Sequence, residues 1–153
     1  MVSTTDQNPV LSDATLNNLI KAARQARERA YAPYSRFRVG AALLGEDGAI
    51  YSGCNIENSA YGLTNCAERT ALFKAVSEGC HRFNALVLTS DAPSPVTPCG
   101  ACRQVLGEFA PQMPVYMVDD QGRREVSRVS DLLPGIFRLS EVIKPTQPES
   151  SKD

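Results

Sequence analysis

Residues 85–104 read A-L-V-L-T-S-D-A-P-S-P-V-T-P-C-G-A-C-R-Q, and this stretch decides the fold. Ala85 to Thr89 is a short continuous apolar run, the pattern of a strand buried on both faces. Pro98 favours a helix start soon afterwards. A second apolar run, Val115 to Val118, follows that helix. Strand, helix and strand in this order imply a parallel pair within one sheet.

Working outward, Phe37 to Leu44, the turn Gly45-Glu46-Asp47-Gly48 and Ala49 to Cys54 form a β-hairpin pattern. Ahead of it, Leu16, Leu19, Ile20, Ala23 and Ala30 fall at helical spacing behind a cap at Ser12 or Asp13, and Ala32-Pro33-Tyr34 ends the helix. Thr64 or Asn65 caps a further helix that Gly79 stops. A weaker β or helical end closes with L-L-P-G-I-F at Leu132 to Phe137. The expected architecture is α/β, a three-layer α/β/α sandwich with a mixed sheet. One domain is expected over residues 12–143, between flexible tails at 1–11 and 144–153.

The chain has 153 residues and a formal net charge of -1, so no basic face toward nucleic acid is implied. No apolar run approaches the roughly 20 residues of a membrane span. The first residues lack a secretory pattern, and a cytoplasmic location is the expectation. There a C-x-x-C pair reads as metal ligand or redox pair before structural disulfide. Five cysteines would also leave one unpaired.

Cys99 and Cys102 stand at a helix start, where residues three apart share one face and free N–H groups favour thiolates. Alone, the pair is compatible with zinc, thioredoxin-like redox chemistry or coincidence. Cys66, two residues before Glu68, adds a third sulfur at another helix start. Three cysteines leave one tetrahedral position open, the arrangement of a catalytic zinc site. Zinc lowers the pKa of bound water toward about 7, and Glu68 is placed to shuttle the proton to a leaving nitrogen. Against this, Cys66 alone reads as a small buried apolar residue and Glu68 as a solvated first-turn carboxylate. Their joint occurrence with P-C-x-x-C favours the site.

C-A-E-R-T-A-L at 66–72 and P-C-G-A-C-R at 98–103 resemble the signature of the zinc nucleoside and nucleobase deaminases. Y-A-P-Y-S-R-F-R-V-G-A-A-L and G-C-N-I-E-N-S-A-Y-G extend the resemblance from about Ala32 to Phe137, toward the small homotetrameric cytidine deaminases. The resemblance implies one zinc per subunit on Cys66, Cys99 and Cys102, with Glu68 as proton shuttle to a zinc-bound hydroxide. It implies hydrolytic deamination of cytidine and 2′-deoxycytidine in pyrimidine salvage. Asn55 and Glu57 would hold the ribose 3′-OH, Phe37 the pyrimidine ring, and the Ala67 N–H the region near the reacting carbon. Ser59 and Tyr61 would reach across a subunit boundary near the 5′-OH, and Phe137 would enter a neighbour's site, giving a homotetramer with shared active sites. Arg69 and Arg103 stand beside the ligand motifs, and one or both would donate to the ligand sulfurs and draw charge off the metal, the resemblance favouring Arg69. No nucleic-acid or membrane partner is expected.

Cys54 and Cys80 read as buried free thiols, and His81 as a surface loop residue. Blasticidin S-type and RNA-acting deaminases share the zinc motif. A non-catalytic zinc module has no use for Glu68, and a C-x-x-C oxidoreductase leaves Cys66 unexplained.

Overall fold

The computed structural model describes residues 11–143. The expected tails at 1–10 and 144–153 lie outside the described residues. Leu11, assigned to the first tail, instead packs against the apolar cluster beneath the first helix. It precedes the N-cap Ser12, and Leu16, four positions into the helix, joins the same cluster, as in a hydrophobic staple.

Helix α1 spans Asp13–Arg27, with Ser12 Oγ accepting from Thr15 N at 3.2 Å. It ends before Ala30, earlier than the sequence suggested. Tyr31 is drawn into extended pairing instead: its N–H donates to Asn55 O at 3.0 Å and its carbonyl accepts from Glu57 N at 2.8 Å. Strands β1 (Val39–Gly45) and β2 (Ile50–Cys54) form the expected antiparallel hairpin. Helix α2 (Ala67–Ser77) stops before Gly79, whose φ of 94° suits glycine. Strand β3 (Phe83–Ser90), helix α3 (Gly100–Phe109) and strand β4 (Pro114–Val118) form the crossover unit, with β3 and β4 parallel.

The sheet order is β2-β1-β3-β4-β5, with β5 at Arg124–Arg128 antiparallel to β4. Beyond it, α4 occupies Val129–Leu132. The mixed sheet agrees with the sequence reading, while β5 was legible only as a weak end. Its residues are R-E-V-S-R, largely exposed at the sheet edge, where charge discourages pairing with another chain.

Side chains alternate along β1. Ala41 and Leu43 join the core under α2 and α3, whereas Ala42 and Leu44 join the core under α1. Each layer is fixed by a glycine where a helix backbone lies against a strand. A Cβ on Gly40 would strike the Ala23 carbonyl and lie 2.7 Å from Arg27 N. A Cβ on Gly53 would lie 2.5 Å from Ala71 N and 2.7 Å from Ala67 O. Gly53 thereby sets the height of α2 above the sheet. Cys54 and Cys80, expected to be buried, are free thiols but only half-buried. Among the described residues, no helix is long and apolar enough to cross a membrane.

Gly53→Ala is expected to lift the first turns of α2 and lower stability by about 1–3 kcal/mol. Urea unfolding checks this; an unchanged midpoint would show that α2 has slack at this contact.

Candidate active site

Both helices that present the sulfurs begin on a cysteine. Cys66 is the N-cap of α2 and Cys99 the N-cap of α3, each with extended backbone and no side-chain capping bond. The cap of α2 therefore lies beyond the expected Thr64 or Asn65. Asn65 is held extended by two reciprocal 2.9 Å backbone bonds with Ile56, which delays the helix until Cys66. Cys102 follows in the first turn of α3, fully buried.

The three sulfurs lie within 4.8 Å of one another, with Cys66 Sγ and Cys99 Sγ 3.8 Å apart. Two thiolates bound at ~2.3 Å to a tetrahedral zinc are separated by about 3.8 Å, so the donor set fits this metal in type and spacing. Among the described residues, no other His, Cys, Asp or Glu cluster of three comes together this way. Hydrogen bonding to Cys102 and then to Arg69 pulls the Cys66 thiol down to about 5. Arg69 Nη2 stands 3.2 Å from Cys66 Sγ, the contact expected of it.

Arg103 does otherwise. Its guanidinium donates to Pro98 O at 2.7 Å, Leu132 O at 2.8 Å and Thr97 Oγ1 at 3.2 Å, and it has no sulfur contact. In place of a bond to a ligand sulfur, Arg103 ties the loop ahead of Cys99 to the end of α4. Arg103 sits four residues past the N-cap, where its side chain reaches back over the helix start.

Beside the sulfurs opens a cavity of about 240 Å³. Its lining includes Cys66, Ala67, Glu68 and Cys99 from the two helix starts, together with Phe37, Asn55 and Glu57. Glu68 is only 4% exposed, and burial pushes its carboxyl up to about 7. It is poised to hold or release a proton near neutrality. Asn55 is held on both ends of its amide: Oδ1 accepts from Val39 N and Nδ2 donates to Phe37 O, both at 2.8 Å. Glu57 accepts from Tyr34 N at 2.9 Å.

The profile of a family described as the cytidine and deoxycytidylate deaminase zinc-binding region matches residues 13–118. The chain belongs to this deaminase family. A cytidine deaminase of Sporosarcina psychrophila is 59% identical over 128 residues, covering 83% of this chain and 94% of its own. Among solved structures, the cytidine deaminase of Burkholderia pseudomallei is 50% identical, with a TM-score of 0.77 over 79% of this chain and 98% of that one. That of Mycobacterium tuberculosis is 44% identical, with a TM-score of 0.69 over 81% and 98%. Zinc is the cofactor of the family, and Cys66, Cys99 and Cys102 are where this deaminase can hold it.

Three residues assigned by resemblance stand outside the cavity wall. Ser59 pairs its hydroxyl with Tyr34 Oη at 2.6 Å, and Tyr61, 73% exposed, meets the Tyr34 ring edge-on at 5.7 Å. Phe137 is 61% exposed, its backbone clamped by Gln104, which donates to its carbonyl at 2.8 Å and accepts from its N–H at 3.2 Å. Conversely, Ser35, Val96 and Thr97 line the cavity and were not singled out from sequence. Proximity to Pro98 was the available signal for Val96 and Thr97. Ser35 offered none, since a serine between tyrosine and arginine reads as an ordinary turn residue.

Removing the Arg69 guanidinium leaves the Cys66 sulfur without its charged donor. Arg69→Gln is expected to weaken zinc binding about 10- to 100-fold in competition with a chelator. An unchanged affinity would assign Arg69 to packing alone. A second expectation concerns pH. The Glu68 carboxyl stands at about 7 against an ordinary 4.5, so folding favours its neutral form. That contribution is complete below about 4.5 and is lost as pH rises through 7. In chelator-treated protein, Glu68→Gln should therefore stabilise by about 2–3 kcal/mol at pH 8 and by little at pH 5. A pH-independent gain in paired denaturation curves would contradict this assignment.

Proposed function

We propose that this deaminase converts cytidine and 2′-deoxycytidine to uridine and 2′-deoxyuridine with release of ammonia, in pyrimidine salvage in the cytoplasm. The observation that carries the reading is Glu68, a buried carboxyl poised near neutrality in the same cavity lining as two of the three clustered cysteines. Zinc bound by Cys66, Cys99 and Cys102 would supply an acidified water near pH 7. Glu68 takes a proton from water and delivers it to ring N3 as oxygen adds at C4. It then moves the proton of the new hydroxyl to the amino nitrogen, which leaves as ammonia. The Ala67 N–H, on the first turn of α2 in the cavity lining, would bind the ligand near the reacting carbon.

Phe37, also in the cavity lining, stacks on the pyrimidine. The sugar falls to Asn55 and Glu57. Asn55 spends one donor and one acceptor within the protein, leaving one amide hydrogen for a ligand. One such hydrogen beside a carboxylate suits a single hydroxyl that accepts from Asn55 and donates to Glu57. This supports recognition of the 3′-OH and indifference to the 2′ position. Among the described residues, the cavity lining includes no lysine, arginine or histidine, while two carboxylates are present. That lining favours an uncharged nucleoside over a 5′-phosphorylated one, whose dianion would meet Glu57. Exposed Tyr61 and Phe137 support a homotetramer in which neighbours complete each site.

The decisive experiment follows the ultraviolet loss of the 4-amino chromophore with purified protein. Wild type is expected to convert cytidine and 2′-deoxycytidine with similar efficiency and to leave the 5′-monophosphate nearly untouched. Glu68→Gln should retain its zinc and lose at least about 10²-fold in turnover. Zinc binding without conversion of cytidine would overturn the substrate and leave the metal site standing, with other amino-heterocycles as the next substrates.

A further inference from the structure

Ser35 joins the backbone of Phe37 to the Glu57 carboxylate, and all three residues line the cavity. The Ser35 Oγ accepts from Phe37 N at 3.0 Å, and its hydroxyl proton goes to Glu57 Oε1. Its backbone N–H adds a bond to Glu57 Oε2 at 3.2 Å, beside that from Tyr34 N at 2.9 Å. The direction of this relay is fixed, because the Phe37 N–H can only donate and an ionised carboxylate can only accept. The backbone turn that makes it possible is unusual. Arg36, between Ser35 and Phe37, has φ at 57°, a left-handed conformation uncommon outside glycine. That residue turns the chain so that Ser35 and Phe37, two apart, both line the cavity.

A carboxylate offers about four acceptor positions. On Glu57, Oε2 receives two N–H donors and Oε1 receives the Ser35 hydroxyl, leaving one position on Oε1. The Ser35 bond is also the largest influence holding the Glu57 carboxyl below its ordinary value.

We infer that Ser35 is a positioning and specificity-determining residue: its hydroxyl sets the rotation of the Glu57 carboxylate and restricts it to one open acceptor, directed at a single sugar hydroxyl. The inference rests on the proposed nucleoside reading and extends it to a residue that need not touch the substrate itself. Loss of the hydroxyl frees Oε1 and leaves two backbone donors on Oε2, about which the carboxylate can rotate. Binding of the sugar hydroxyl then weakens, while Glu68 and the metal ligands stay in place.

The test compares cytidine with 3′-deoxycytidine, which lacks the hydroxyl that Glu57 would accept. Ser35→Ala is expected to raise KM for cytidine roughly tenfold with kcat within about twofold, and to leave KM for 3′-deoxycytidine nearly unchanged. The preference between the two nucleosides therefore falls roughly tenfold. Ser35→Thr, which keeps a hydroxyl on Cβ, should restore it to within about threefold. Should the alanine variant fold poorly, Ser35→Cys supports the same comparison, since a thiol of similar size is a weak donor. Equal losses on both nucleosides, or an unaltered preference, would overturn the inference while leaving the proposed activity standing. A wild-type protein inert toward cytidine would overturn the nucleoside reading, and this inference with it.

Discussion

Everything at this site depends on two helix starts being brought to one place. Cys66 and Cys99 are 33 residues apart in sequence, yet each is the last extended residue before a helix, and their sulfurs end 3.8 Å apart. The parallel pairing of β3 with β4 supplies the constraint. A parallel pair requires a crossover, and the crossover helix α3 then starts beyond the carboxyl end of β3. Helix α2 reaches the same place by a different route, pressed onto β2 at Gly53, where no side chain separates helix from strand.

That convergence has an electrostatic side. Each helix start exposes unpaired backbone N–H groups, and neither cysteine uses its side chain to satisfy them. The partial positive charge at two N-termini, together with the Arg69 guanidinium, offsets negative charge gathered on the sulfurs. Glu68 experiences the opposite balance. Burial raises its proton affinity first, and the charge on Cys66 adds to that effect. One turn of helix thus pushes the Cys66 thiol down and the Glu68 carboxyl up.

The layered fold was readable because its signals are local and repetitive: an apolar run at 85–89, another at 115–118, and a hairpin with a Gly-containing turn. Strand β5 was not readable as such, since R-E-V-S-R is exposed and takes its conformation from pairing with β4. The metal ligands were legible because their spacing has a chemical purpose. The roles of arginines were half legible. Arg69 and Arg103 each stand beside a cysteine motif, but the Pro98 carbonyl ahead of α3 and the Leu132 carbonyl at the end of α4 capture Arg103. Ser35 was hidden for a related reason: its significance lies in a partner 22 residues away and in an unusual φ at its neighbour.

The choice of cysteine as the N-cap of both helices reaches beyond catalysis. A serine, threonine or aspartate there would contribute about 1 kcal/mol of helix stability by capping. Cysteine forgoes that contribution and recovers it through coordination, since metal binding to the folded state is linked to folding free energy. A chain that has not acquired its ion is consequently the less stable form, opening more often to proteases and chaperones. Metal loading in such a design acts as quality control, because the molecules that persist are enriched in those equipped to work.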